Sequence, residues 1–303
     1  MLGLLILLDR FYTNYVSSHK NVCEKSDWVL NHTDEAYDFA FIGNSRVING
    51  IDINEVEKIT GKTGINLGLT GANYAENYLL LAQFLKSGNS VKNLVVQIDM
   101  HSLKSSTLPY PFHNTNYMHL LNDPSVYEIY KDNTAMYRLL MWKYIPFVRY
   151  MEFSSRFVLY KILKGGYECK TSEVYDLSKG SDLHKNKEFV PESLTNTSWE
   201  IDSTDQKYLD KLTTFAKEKK INVIFYTAPI YSNYFSYQLK VDEILGTEKE
   251  MARKQGIKYF DFSSPINPLC SDANNFNDNI HMNVTGTKKF TASIADSIRS
   301  ILN

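Results

Sequence analysis

The sequence predicts an α/β fold on a mainly parallel five-stranded sheet, and three observations predict it. Short apolar runs of strand character alternate with stretches of helical spacing, the pattern of βαβ units. The chain has 303 residues, of which 43% are hydrophobic and 22% charged, enough for a sizeable core and too apolar for a disordered protein. The alternation occupies two blocks, about 37–101 and 202–303, with an interruption between them that reads as an insertion.

The first eight residues, MLGLLILL, are uniformly apolar but too few to cross a bilayer, which takes about 20. Asp9 and Arg10 end the run, and Phe11, Tyr12 and Tyr15 follow. Charge and interfacial aromatics after an apolar run are expected at the end of a signal anchor. Residues 1–36 are therefore expected to be an anchor remnant and linker, which would put the protein at a membrane and outside the cytoplasm. A buried amino-terminal helix is the alternative.

The strands are expected at 39–42, 64–67, 94–98, 222–226 and 258–262, and helices at 53–60, 75–85, 205–219, 241–255 and 284–302. Ser203, Thr204 and Asp205 offer an N-cap for the third of these helices, because each side chain can accept from a free backbone N–H. Residues 37–303 form the expected α/β domain. Within it, 102–201 is rich in Tyr, Asn and Ser, with helix-like pieces near 126–147 and 154–163. Such an insertion reads either as a lid or substrate platform over the carboxyl edge of the sheet, where open α/β sheets bind ligands, or as a plain structural excursion.

Net charge excludes one class of partner. Thirty-three Lys and Arg against 34 Asp and Glu leave −1, with no electrostatic footprint for nucleic acid. Cys23, Cys169 and Cys270 lack the spacing of a metal knuckle or a dithiol centre, and the sequence is read as carrying no metal and no cofactor.

Two short segments carry the chemistry. Gly43-Asn44-Ser45-Arg46 follows the first strand, where a turn would expose the Ser45 hydroxyl near backbone N–H groups. Ser45 is then a nucleophile or a simple helix cap. Asn277-Asp278-Asn279-Ile280-His281 precedes the last helix. A carboxylate three residues before a His lets one loop supply a general base and the group that orients it. Taken alone, His281 could equally be a cap or a surface residue.

Together these segments resemble the SGNH (GDSL-type) hydrolase and acyltransferase superfamily, with Gly43-Asn44-Ser45 matching its first block and Asp278-x-x-His281 its last. Asn66-Leu67-Gly68-Leu69-Thr70-Gly71-Ala72 looks like the block whose Gly N–H joins the Ser N–H in an oxyanion hole. The resemblance implies a three-layer, flavodoxin-like fold, catalytic Ser45, Asp278 and His281, and oxyanion donors from Ser45 and Gly71, with Gly68 in reserve. The family's GxND block is absent: Val96-Gln97-Ile98-Asp99-Met100-His101 stands in its place. An ionised Asp99 cannot donate, which leaves Asn73 or His101 to supply a third donor.

The layout is similar to envelope-polysaccharide O-acetyltransferase-like and DltD-like members. It implies an O-acyltransferase acting through acyl-Ser45, with a glycan acceptor and a membrane-bound O-acyltransferase as partner. Two alternatives stay open, a carbohydrate acylesterase and a non-catalytic glycan-binding or assembly protein. Tyr110, Phe112, Tyr117, Tyr127 and Tyr130 could stack on sugar rings or serve only in packing.

Overall fold

The computed structural model describes residues 2–18, 25–98, 103, 117–153, 179–183, 189, 202–235 and 241–302. Five strands, β1 (Ala36–Ile42), β2 (Gly64–Asn66), β3 (Ser90–Gln97), β4 (Asn222–Thr227) and β5 (Lys258–Asp261), form one parallel sheet in the order β2-β1-β3-β4-β5. This is the flavodoxin-like three-layer arrangement expected from the sequence. After β2 the chain crosses back over β1 to add β3, so the strand order reverses between β1 and β3. A crevice opens at the carboxyl ends of the strands at such a reversal.

The main helices are α1 (Leu2–Ser18), α2 (Lys25–Leu30), α3 (Ser45–Ile48), α4 (Ile53–Thr60), α5 (Tyr74–Lys86), α6 (Pro124–Asn133), α7 (Met136–Tyr144), α8 (Val148–Phe153), α9 (Ser203–Glu218), α10 (Val241–Gln255) and α11 (Val284–Arg299). Because strand side chains alternate, the sheet feeds two cores. Ala40, Ile42, Leu94, Val96, Val223 and Phe225 pack with Leu79 of α5, Leu209 of α9 and Ala252 of α10. Phe39, Phe41, Val95, Ile224 and Tyr226 pack with Val56 of α4 and with Phe290 and Ile294 of α11.

Two expectations need correction. The cap of α9 is Asp202, one residue earlier than expected, and its side chain accepts the Thr204 N–H at 2.7 Å. Residues 25–35 are not a linker, since α2 buries Trp28 and Val29 in the main core. Of the aromatic residues read as either sugar-stacking or packing, Tyr117 and Tyr130 are fully buried and serve packing, while Tyr127 is half-buried with Lys143 Nζ 4.2 Å from its ring centroid. Tyr110, Phe112 and the expected helix near 154–163 lie outside the described residues.

Of the described helices of the insertion, α6 packs on α5 and α9. Val126, Ile129 and Tyr130 of α6 enter the core shared with those two helices. Lys207 binds Asp132 and Lys211 binds Glu128, both at 2.6 Å, and Lys86 binds Asp123. Residues 179–183 run along the opposite edge: Asn66 N–H donates to Lys179 O, Asp182 N–H to Ile48 O, and the Ser181 hydroxyl to Ile51 O. The segment therefore touches the helices that follow both Ser45 and Ile51.

At the amino terminus the apolar run continues into one helix. Tyr12 is buried edge-to-face against Phe147, with ring centroids 4.9 Å apart, and Asp9 pairs with Arg149 at 2.8 Å. Among the described residues no helix is long and apolar enough to cross a membrane.

Candidate active site

The site lies at the carboxyl ends of β1 and β3, beside the reversal of strand order. β1 runs into Gly43, whose backbone passes so close to β3 that an added Cβ would fall 2.6 Å from Gln97 Oε1 and 2.5 Å from Val47. Only glycine fits there. Asn44 then caps α3: its side-chain oxygen accepts the Arg46 N–H at 3.0 Å, while its own N–H donates to Gln97 Oε1 at 3.2 Å. These contacts set Ser45 on the first residue of α3 with its hydroxyl partly exposed.

The other half of the site is a closed loop. Asn277 N–H donates to His281 O, Phe276 and Met282 form an antiparallel bridge, and Asn283 caps α11 by accepting from Thr285 and Gly286. Inside this loop Asp278 Oδ1 accepts the N–H groups of Ile280 and His281 at 2.9 and 2.8 Å. Its Oδ2 lies 2.9 Å from His281 Nδ1. Across the crevice, His281 Nε2 is 2.9 Å from Ser45 Oγ. The structure thus brings Ser45, His281 and Asp278 into one hydrogen-bonded line, with Ser45 and His281 236 positions apart in sequence.

The protonation pattern follows from the donors. Burial would raise the Asp278 carboxyl, but the His281 ring and the two backbone N–H groups outweigh it and hold the group down to about 2. A carboxylate only accepts, so Nδ1 of His281 carries the proton. Nε2 of the neutral ring is then an acceptor for the Ser45 hydroxyl proton, the tautomer a general base needs.

The loop after β2 lies alongside the Ser45 turn, since Leu67 N–H donates to Phe41 O and Leu69 N–H to Gly43 O. Gly68 does not fill its reserve role: its N–H donates to Asn66 Oδ1 at 2.9 Å, and an added Cβ would meet Ile48 N at 2.7 Å. It is the close-packing residue between β2 and α3. Gly71 takes the left-handed region, with φ of +71°, on the exposed turn that follows, and its N–H has no partner among the described residues. The N–H of Ser45 is likewise uncommitted there. Asn73 caps α5 through Oδ1, which accepts from Glu76 N–H at 3.0 Å, so only its NH2 end is left to donate elsewhere. Asp99 and His101 lie outside the described residues.

Two supporting residues were not legible as such in the sequence. Gln97 is fully buried and holds the Asn44 N–H from β3. Arg46 follows Ser45, is also buried, and donates through Nη2 to the carbonyls of Ala228 and Pro229, each at 2.8 Å. The loop that carries those carbonyls continues to Tyr231, whose N–H donates to Asn279 O beside Asp278. Arg46 thereby braces the Ser45 turn against the segment that also holds the His281 loop. Its place next to Ser45 was visible in the sequence, but its carbonyl partners lie 182 and 183 residues away.

Arg46→Ala is expected to destabilise the fold by about 2–4 kcal/mol, since it leaves two buried carbonyls without their charged donor. Urea unfolding measures this. At temperatures where the variant remains folded, its Ser45 should also react more slowly with a fluorophosphonate, and Arg46→Lys should recover part of both effects.

Two surface cavities, of about 620 and 550 Å³, contain none of Ser45, Asp278 and His281. One runs along the groove between α9 and α10, from Gln206 and Asp242 to Gln255, and the other lies against Ser90 and Val91 at the amino end of β3. A narrow crevice lined by Arg46, Ala228, Pro229, Ile280, His281 and Met282 adjoins Ser45 instead. Among the described residues no cluster of three or more His, Cys, Asp or Glu side chains could hold a metal ion. Of the three cysteines only Cys270 is described; it is free and buried, and burial pushes its thiol up to about 11.

No family model matches the chain, and no curated protein matches it. Among solved structures, the chain is similar to a Bacteroides fragilis protein provisionally described as an acylhydrolase, at 12% identity and a TM-score of 0.41, over 89% of this chain and 88% of the other.

Proposed function

We propose that the protein is a serine-nucleophile acyl-transfer enzyme of the SGNH type, an O-acyltransferase acting on an envelope or extracellular polysaccharide. The observation that carries this reading is the unbroken line from Ser45 Oγ through His281 to the Asp278 carboxylate. His281 Nε2 takes the Ser45 proton as Oγ attacks the acyl carbonyl, and Asp278 supports the imidazolium. The carbonyl oxygen, now anionic, is received by the Ser45 and Gly71 N–H groups, with the Asn73 amide as third donor. Collapse forms acyl-Ser45, and His281 returns the proton to the departing alkoxide. An acceptor hydroxyl then gives its proton to His281 as it attacks the acyl-enzyme, and His281 passes that proton to Ser45 Oγ as the acyl–oxygen bond breaks.

The acceptor decides between transfer and hydrolysis. The absent GxND block leans away from a dedicated ester hydrolase, whose third oxyanion donor that block would carry, and so towards a sugar hydroxyl as acceptor. A glycan acceptor, an extracytoplasmic place, tethering through the amino-terminal helix and delivery of acyl groups by a membrane-bound O-acyltransferase complete the reading. With an activated acetyl ester and host envelope glycan, acetylated glycan is expected to accumulate faster than free acetate. Dominant acetate release with every acceptor, together with efficient deacetylation of native glycan, would make the protein an esterase. Absence of any acyl-Ser45 by mass spectrometry would leave a non-catalytic glycan-binding role.

A further inference from the structure

Helix α7, MYRLLMWKY, buries Leu139 and Trp142 and leaves Met136, Tyr137, Leu140, Met141 and Tyr144 exposed, the two tyrosines at 70% each. Those five recur at one helical face. Single exposed apolar residues are ordinary, but a stripe of five large ones along one short helix marks a contact surface. Helix α1 carries a second stripe, Leu4, Leu7 and Phe11, spaced i, i+3 and i+7, with Leu7 65% exposed. The two are joined through one contact: Asp9 accepts from Phe147 N–H and from Arg149, just past the end of α7, and exposed Ile145 and Met151 lie on either side of it.

Charge identifies what would cover this face. α7 carries Arg138 and Lys143 and no carboxylate, and the one carboxylate of α1, Asp9, is neutralised by Arg149, while Arg10 is exposed. Lys143 Nζ lies 5.7 Å from the Tyr144 ring centroid, and the Arg138 guanidinium 5.4 Å from that of Trp142, so the cations border the apolar stripe. Apolar side chains and phenol rings edged by cations suit a helix lying in the headgroup region of an anionic bilayer. A second copy of the chain fits worse, because a twofold contact over α7 would bring cationic edges together.

We propose that α7, together with the amino-terminal half of α1, forms a face that rests on an anionic membrane surface without crossing it. This deepens the membrane part of the reading above and rests on it: a single tether leaves the domain free to rotate, whereas a second contact about 130 residues downstream holds the triad at one orientation to the bilayer.

Co-sedimentation of the full chain with phosphatidylcholine vesicles, with and without about one third phosphatidylglycerol, tests it. The triple variant Tyr137→Ser, Leu140→Ser, Tyr144→Ser should lose about tenfold or more in partitioning to the anionic vesicles, with thermal melting and fluorophosphonate labelling of Ser45 unchanged. Arg138→Gln with Lys143→Gln should lower binding to anionic vesicles toward the level seen without phosphatidylglycerol. If the triple variant partitions like wild type while Leu4→Ser with Leu7→Ser abolishes binding, the amino-terminal tether stands and the α7 face is wrong. If the wild-type chain binds no vesicles, both membrane readings fail and the catalytic one is still judged by Ser45 labelling. A lipid-free dimer that the triple variant converts to monomer, with no vesicle binding, would assign the face to self-association and overturn the proposal.

Discussion

Ser45→Ala is expected to abolish fluorophosphonate labelling and to lower both acyl transfer and ester hydrolysis by roughly 10⁴-fold or more, the scale on which a triad nucleophile matters. The fold should not follow the activity. Ser45 is the first residue of a short helix whose cap is Asn44, and the Ser45 hydroxyl bonds to His281 across the crevice. Replacing it by Ala removes that contact and adds no volume, so the melting temperature should stay within a few degrees of wild type. Steady-state rates on an activated acetyl ester, labelling gels and thermal melts of the same preparation make the test. Retained turnover would remove Ser45 from the chemistry and leave the line of hydrogen bonds as a structural feature of the crevice.

Asp278→Asn should cost nearly as much, on the order of 10³–10⁴ in turnover, for a different reason. The oxygen of the substituted side chain can still accept the Ile280 and His281 N–H groups, so the loop keeps its shape. An amide no longer stabilises the imidazolium, and its NH2 end favours the wrong tautomer of His281. Labelling of Ser45 should therefore slow while the fold survives. Stability should respond to acid in a definite direction. The Asp278 carboxyl is held at about 2, below its ordinary 3.8, so its contribution is present above pH 3.8 and is lost as pH falls through about 2. The amide of the variant does not titrate. The stability gap between wild type and Asp278→Asn should narrow from neutral pH toward pH 2 in urea unfolding, and a gap independent of pH would mean that Asp278 is not ionised as the geometry requires.

Much of this protein was determined by its sequence alone. Five strands and the helices between them follow from local apolar runs and periodicity, which need no knowledge of distant partners. Ser45, Asp278 and His281 could be picked out because each sits in a short local pattern, a turn after a strand or a loop before a helix, whose chemistry is readable from neighbours in the chain. Tertiary structure decided the rest. Gly68 and Gly71 look alike in sequence, yet Asn66 takes the N–H of the first and the left-handed turn leaves that of the second without a partner among the described residues. Arg46 and Gln97 act through carbonyl and amide groups on other elements, Tyr117 and Tyr130 turned inward to pack, and α2 joined the core because Trp28 found a place there. In each case the deciding contact depends on partners that no local pattern encodes, and burial and hydrogen-bond satisfaction are settled only when the elements meet.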